Sequence, residues 1–158
     1  MTAAPLREVH WEWVVLAGAG SLLITMGARN SLGLFVAPIE ASTGMSIGAI
    51  SLALAVAQIM WGAVQPIAGA VADRYGPGRV VAAGLCILAL GNALTPFVAS
   101  TAGLATTIGL QAASGAGLAS YSVLMGAIAR RVGPEKRGTA SGVVGAGGSM
   151  GQFVFAPI

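Results

Sequence analysis

Arg29 is the residue that chemistry has to account for first. No other charge stands between Glu12 and Glu40, and the residues before it, from Val14 to Ala28, are all apolar or small. Burying such a charge in a bilayer costs about 2.5 to 3.5 kcal/mol on insertion scales, so the side chain must face a water-filled cavity or a partner. Asp73, Glu40, Glu12 and Glu135 lie at the ends of apolar runs, so none of them reaches the depth of Arg29. Two readings remain open. The planar, fork-shaped guanidinium suits a carboxylate and would bind an anionic substrate. Alternatively Arg29 is structural and pairs with backbone carbonyls, or with an acid in a further part of the protein.

Gln58, Gly62, Gln65 and Gly69 follow one another at spacings of four, three and four, which puts them on one face of a helix. A polar stripe should point inward, either as hydrogen-bonding glue between helices or as the wall of a cavity. Gln111, Tyr121 and Ser122 carry the same two readings. Asn92 reads as packing glue, and Trp61 as cavity lining or as a packed or lipid-facing ring. Together Arg29, Gln58, Gln65, Gln111 and Tyr121 form the candidate substrate-binding set.

Catalysis has no foothold here. His10 is the single histidine, so there is no Ser-His-Asp set and no His-Glu-x-x-His, and paired carboxylates are also lacking. The glycine-rich run near the end has no strand signal before it and no Lys after it, so it is not a phosphate loop. Cys86 stands alone, which excludes a disulfide framework and a cysteine metal cluster, and it reads as a small buried hydrophobe. We expect no enzyme, no cofactor and no metal. The basic residues sit in short loops without interleaved aromatics, so no nucleic acid is expected either.

The elements that position these residues are membrane helices. Only 8% of the 158 residues are charged, against roughly 25% in soluble domains, and 56% are hydrophobic. The 24 glycines supply the small residues that let helices approach closely in lipid. The apolar runs predict five helices, at about 13–39, 46–72, 80–99, 104–129 and 139–158, the last cut short by the end of the sequence. Helix 1 at 1.5 Å per residue is roughly 40 Å long, more than the ~30 Å hydrocarbon core, so it tilts or enters the headgroups. Trp11 and Trp13 read as an interfacial anchor, Ser46 as the cap of helix 2, and Pro66 as a kink within it. The first apolar run is too long for a signal-peptide core and is read as retained. Arg7, Glu8 and His10 form a solvated tail. Arg7, Arg74, Arg79, Arg130, Arg131, Lys136 and Arg137 fall on one side of these spans, which makes that side, and the N-terminus, cytoplasmic.

The stretch Gly69-Ala-Val-Ala-Asp73-Arg74-Tyr-Gly76-Pro-Gly-Arg79 is a tight turn between two spans. Gly76 allows a positive φ, Pro77 stops the preceding helix, and Asp73 and Arg74 pair at the membrane surface. The pattern resembles the loop between helices 2 and 3 of major facilitator transporters, with its basic residue one place late. A second basic loop, Arg130 to Gly138, and a helix 5 rich in Gly142, Gly145, Gly147, Gly148 and Gly151 extend that resemblance over essentially the whole chain. So dense a glycine run implies a very close helix contact able to slide. Three further features resemble the monocarboxylate porter and oxalate/formate antiporter branch: Asn30 to Pro38, Gln58 with Gln65-Pro66, and Glu135 to Gly142. The arginine of helix 4 and the helix 5 Gly-Pro pair of proton-linked drug antiporters are absent, with Gln111 before Gly115 in the former place.

The resemblance implies an all-α polytopic membrane protein of the major-facilitator type. On this reading the chain is an incomplete N-terminal transmembrane domain, truncated in helix 5 of a six-helix half. A C-terminal half would be missing and substrate would bind between halves. It implies that Asp73 and Arg74 latch a cytoplasmic gate, partly through attraction of Asp73 to a helix N-terminus in the other half. The expected function is transport of a small organic anion, a carboxylate, by alternating access, with a proton as coupling ion or a counter-substrate. The bilayer, the anion and the missing half are the expected partners. High Ala and Gly content and short loops suit a bacterial inner membrane. Two alternatives stand beside this: a five-helix membrane protein without transport activity, and a facilitator for neutral or cationic solutes.

Overall fold

The computed structural model describes residues 11–155, and every element among them is helical. The tail readings of Arg7, Glu8 and His10 lie outside the described residues. Four helical stretches are long and apolar enough to cross a membrane: α1 (Trp11–Thr43), α2 (Ile47–Tyr75), α3 (Pro77–Phe97) and α4 (Thr101–Ala129). A fifth helix, α5 (Arg137–Phe155), follows the second basic loop.

The ends are set by local chemistry. The Ser46 hydroxyl accepts from the Ala49 N–H at 3.3 Å and so caps α2. Gly76 closes α2 with a φ of 90°, a conformation costly for any side chain, and Pro77 opens α3 immediately after it. Near the other membrane face α1 does not end at Ile39. It tightens to a 3₁₀ turn over Leu32–Phe35 and resumes as α-helix to Thr43. Pro96 falls in the 3₁₀ turn Thr95–Phe97 that finishes α3.

The helix expected over about 104–129 is found as the span Thr101–Ala129, but it is irregular inside. From Ala105 to Ala112 α4 widens into a π-helix, and at Ala119 it breaks before restarting at Tyr121. The wide turns coincide with hydroxyls bonded back to the helix: Thr106 Oγ1 donates to the carbonyls of Ala102 and Gly103, and Thr107 Oγ1 to Gly103 at 3.1 Å. No proline marks the break. Ala119 and Ser120 are both buried there, and the Ser120 hydroxyl lies 3.0 Å from that of Ser122.

Glycine sets the packing. α4 wedges between α2 and α3, where Gly84 and Gly115 meet so closely that a Cβ on Gly84 would lie 2.7 Å from the Gly115 carbonyl oxygen. Gly117 packs on Val64 and the Trp61 carbonyl in the same way. α5 lies along α1 through Gly147, Gly148 and Gly151, and a Cβ on Gly147 would sit 2.5 Å from the Ala19 carbonyl oxygen. Gly142 and Gly145, read from sequence as packing glycines, meet no neighbouring atom within 4 Å, and neither does Gly69. They lie on parts of their helices that no described element covers. Cys86 is likewise exposed on the bundle surface, not buried as expected.

The basic residues gather at one end. Arg137 donates to the carbonyls of Ala129 and Val132, satisfying the free C-terminal end of α4. The Lys136 ammonium lies 5.0 Å from the centre of the Trp11 ring. The start of α1, the α2–α3 turn, the end of α4 and the start of α5 therefore share one face of the bundle.

Candidate functional site

Arg29 stands near the middle of α1 and faces α2. Its Nη2 donates to Gln58 Oε1, and its guanidinium carbon lies 4.0 Å from the centre of the Trp61 ring. Residues 58 and 61 are one helical turn apart, so α2 offers an amide and an aromatic face at the same level. The two contacts orient the guanidinium without neutralising it, since Gln58 is uncharged and Trp61 contributes only its ring quadrupole.

Arg29 and Gln58 border a cavity of about 210 Å³ that Asn92 of α3 and Ile108, Ala112 and Ala116 of α4 also line. Among the described residues no aspartate or glutamate lines it. The π-helical turns bring Ile108 and Ala112 to its wall, so the irregularity of α4 sits beside Arg29. Asn92, read from sequence as packing glue, opens onto this cavity.

The remaining candidates lie elsewhere. Gln65 Oε1 accepts from the Ser122 hydroxyl at 3.1 Å, joining α2 to α4 nearer the basic end. The Tyr121 and Ser141 hydroxyls lie 2.5 Å apart and join α4 to α5. Gln111 falls outside the lining of the Arg29 cavity. The five candidates thus separate into an Arg29–Gln58 pair at the cavity, two interhelical links in a second layer, and Gln111 by itself. Asn92 joins the first group as cavity lining, and Trp61 only through its ring contact with Arg29.

At the basic end Asp73 pairs with Arg130 across an Oδ1 to Nη1 distance of 2.8 Å. Its neighbour Arg74 instead lies over the Tyr75 ring at 5.5 Å. The pairing of Asp73 with Arg74 read from the sequence is therefore replaced by one that reaches the end of α4, where Gly126 also receives the Arg130 Nε.

A five-helix bundle with a tight acidic-basic turn after its second span and a glycine contact between the first and fifth narrows the choice to polytopic membrane families. The pattern of the Major Facilitator Superfamily matches residues 18–158. The chain belongs to the Major Facilitator Superfamily. This is a family of transporters rather than enzymes, which agrees with the lack of a catalytic set in the sequence. Among curated proteins it is similar to an oxalate:formate antiporter of Oxalobacter formigenes, 30% identical over 94% of this chain and 35% of that protein. It is also similar to monocarboxylate transporter 13 of Rattus norvegicus and of Bos taurus, at 32% and 31% identity over 94% of the chain and 34% of each relative. The chain spans about a third of the length of the curated relatives it matches. The branch resemblance read from Asn30 to Pro38, Gln58 and Glu135 to Gly142 agrees with these relatives. A major facilitator chain with these spans is a multi-pass membrane protein.

Proposed function

We propose that this major facilitator chain forms part of a secondary transporter for a small organic anion, a carboxylate, and that Arg29 is the group that receives it. The carrying observation is the guanidinium of Arg29, held between Gln58 and Trp61 on a cavity with no acidic residue among the described ones. A cavity of about 210 Å³ is smaller than the roughly 300 Å³ at which pockets for drug-sized ligands begin, and so suits a small ion. The relatives, an oxalate:formate antiporter and monocarboxylate transporters, point to the same class.

On this reading a carboxylate takes the guanidinium donors that Gln58 leaves free, and Trp61 shields the ion pair from water. Transport proceeds by alternating access between this bundle and a second half, driven by a proton or by a counter-substrate, with Asp73 and the basic loop gating the cytoplasmic side. The protein resides in a cell membrane with its N-terminus in the cytoplasm, as the one-sided basic loops direct.

The test is uptake of labelled small mono- and dicarboxylates into proteoliposomes carrying the native protein. Arg29→Gln should abolish uptake and Arg29→Lys should weaken it sharply. Unchanged affinity in both variants would sink the assignment. Uptake of a neutral or cationic solute that ignores carboxylate competitors would favour a facilitator with a structural Arg29, and no flux of any solute would leave a non-transporting membrane protein.

A further inference from the structure

Arg29, Asn30, Gln58 and Asn92 are the polar side chains on the Arg29 cavity, and they are not equally engaged. Gln58 Oε1 accepts from Arg29, and Asn30 Nδ2 donates to the Met26 carbonyl at 2.8 Å. Asn92 differs from both. Among the described residues its side-chain amide forms no hydrogen bond, although it is half-buried. No fully buried side-chain nitrogen or oxygen among the described residues lacks a partner, so this amide reaches open space. The cavity it shares with Arg29 and Gln58 supplies that space.

Packing fixes where Asn92 stands. Gly91 lets α3 press on the π-helical turns of α4, where a Cβ would lie 2.7 Å from the Ala112 nitrogen and 2.8 Å from the Thr107 carbonyl oxygen. Leu88, one turn before Asn92, is buried with Ala112 and Ala116 and lines the same cavity. Asn92 also borders the opening beside Thr95 and Pro96, so a packing role and a ligand role predict different outcomes.

The chemistry of the wall limits what the amide can receive. Arg29 is the only cation on the cavity among the described residues, so one carboxylate uses the available charge. An amide both donates and accepts, which suits a neutral hydroxyl or carbonyl oxygen better than a second anion. In a cavity of about 210 Å³ the two polar groups of a ligand must lie close together. Resting on the carboxylate reading of Arg29, we propose that Asn92 determines specificity within that class. It hydrogen-bonds a neutral oxygen beside the carboxylate, and the site prefers such an anion to an alkyl carboxylate of the same size.

Glycolate and propionate test this, because they match in charge and size and differ by a hydroxyl in place of a methyl group. Their uptake is measured in proteoliposomes carrying the native protein. The KM for glycolate should lie about fivefold below that for propionate, the ratio of one neutral hydrogen bond of about 1 kcal/mol. Asn92→Leu should raise the glycolate KM to that of propionate and leave the propionate KM where it was. Asn92→Thr, which keeps a hydroxyl, should restore part of the preference, and it decides the matter if the leucine variant does not fold. Arg29→Gln should abolish uptake of both solutes. If it does so while Asn92→Leu leaves the ratio unchanged, the role of Asn92 is overturned and the carboxylate reading stands. Equal loss of both uptakes in Asn92→Leu, with a lower unfolding midpoint in detergent, would make Asn92 a link between helices and overturn the inference. No uptake of glycolate by the native protein would overturn it as well. Uptake that persists in Arg29→Gln would overturn the carboxylate reading and this inference with it.

Discussion

Asp73 Oδ1 lies 2.8 Å from Arg130 Nη1, so the turn between α2 and α3 is fastened to the C-terminal end of α4. Both side chains are well exposed, at 69% and 50%, and an exposed pair of this kind contributes only about 0.2–1 kcal/mol. Its value is geometric, since it holds the elements that a gate would have to move. Asp73→Asn and Arg130→Gln should therefore shift the unfolding midpoint in detergent very little while altering the transport rate of the native protein. Equal and normal transport in both variants would remove the gating role.

Trp61 should matter to anion affinity through Arg29 and not through the substrate itself. A cation–π contact contributes about 0.5–1 kcal/mol at an exposed site and about 2 when desolvated. Trp61→Leu should then weaken carboxylate binding by about fivefold, equivalent to about 1 kcal/mol, with Arg29→Gln costing far more. Isothermal titration or competition uptake measures both. If Trp61→Leu weakens binding equally in an Arg29→Gln background, the ring acts independently of the guanidinium.

The turn chemistry and the helix inventory could be read from the sequence because each depends on a few neighbouring residues. Gly76-Pro77, the Ser46 cap and the four long apolar runs are local signals. The partners of Arg29 and Asp73 were not legible, because they lie on other helices and no spacing rule connects residue 29 to residue 58, or 73 to 130. The break at Ala119 escaped for a related reason. Alanine and serine are compatible with a helix, and only the close seating of Gly115 and Gly117 against α3 and α2 shows how tightly the chain is held before it turns. The glycine run of α5 was visible as a run, but which glycines touch α1 depends on the rotation of the helix, and Gly147, Gly148 and Gly151 proved to be the contact.

That rotation gives a sharp contrast in substitution tolerance. Gly147→Ala and Gly151→Ala place a methyl against the backbone carbonyls of Ala19 and Leu23, which can yield only if α5 moves off α1. Overpacking of this kind costs about 1–3 kcal/mol. Gly142→Ala and Gly145→Ala meet open space and should gain up to about 1 kcal/mol from helix propensity. Resistance to denaturation by sodium dodecyl sulfate orders the four variants, and a uniform response would show that α5 is not seated on α1 as described.

The two interhelical links away from Arg29 supply the last contrast. Tyr121 with Ser141, at 2.5 Å, and Gln65 with Ser122, at 3.1 Å, have the geometry of side-chain hydrogen bonds between membrane helices. Such bonds average about 0.6 kcal/mol in double-mutant cycles, because a helix released within the membrane finds other partners. A cycle of Tyr121→Phe with Ser141→Ala should therefore return a coupling of about that size, and carboxylate affinity in the native protein should stay within about twofold. A large loss of affinity in Tyr121→Phe with normal stability would move Tyr121 from helix glue into the substrate path. The anion would then travel from the Arg29 cavity past α4 toward the basic end, and the break at Ala119 and Ser120 would lie beside its route.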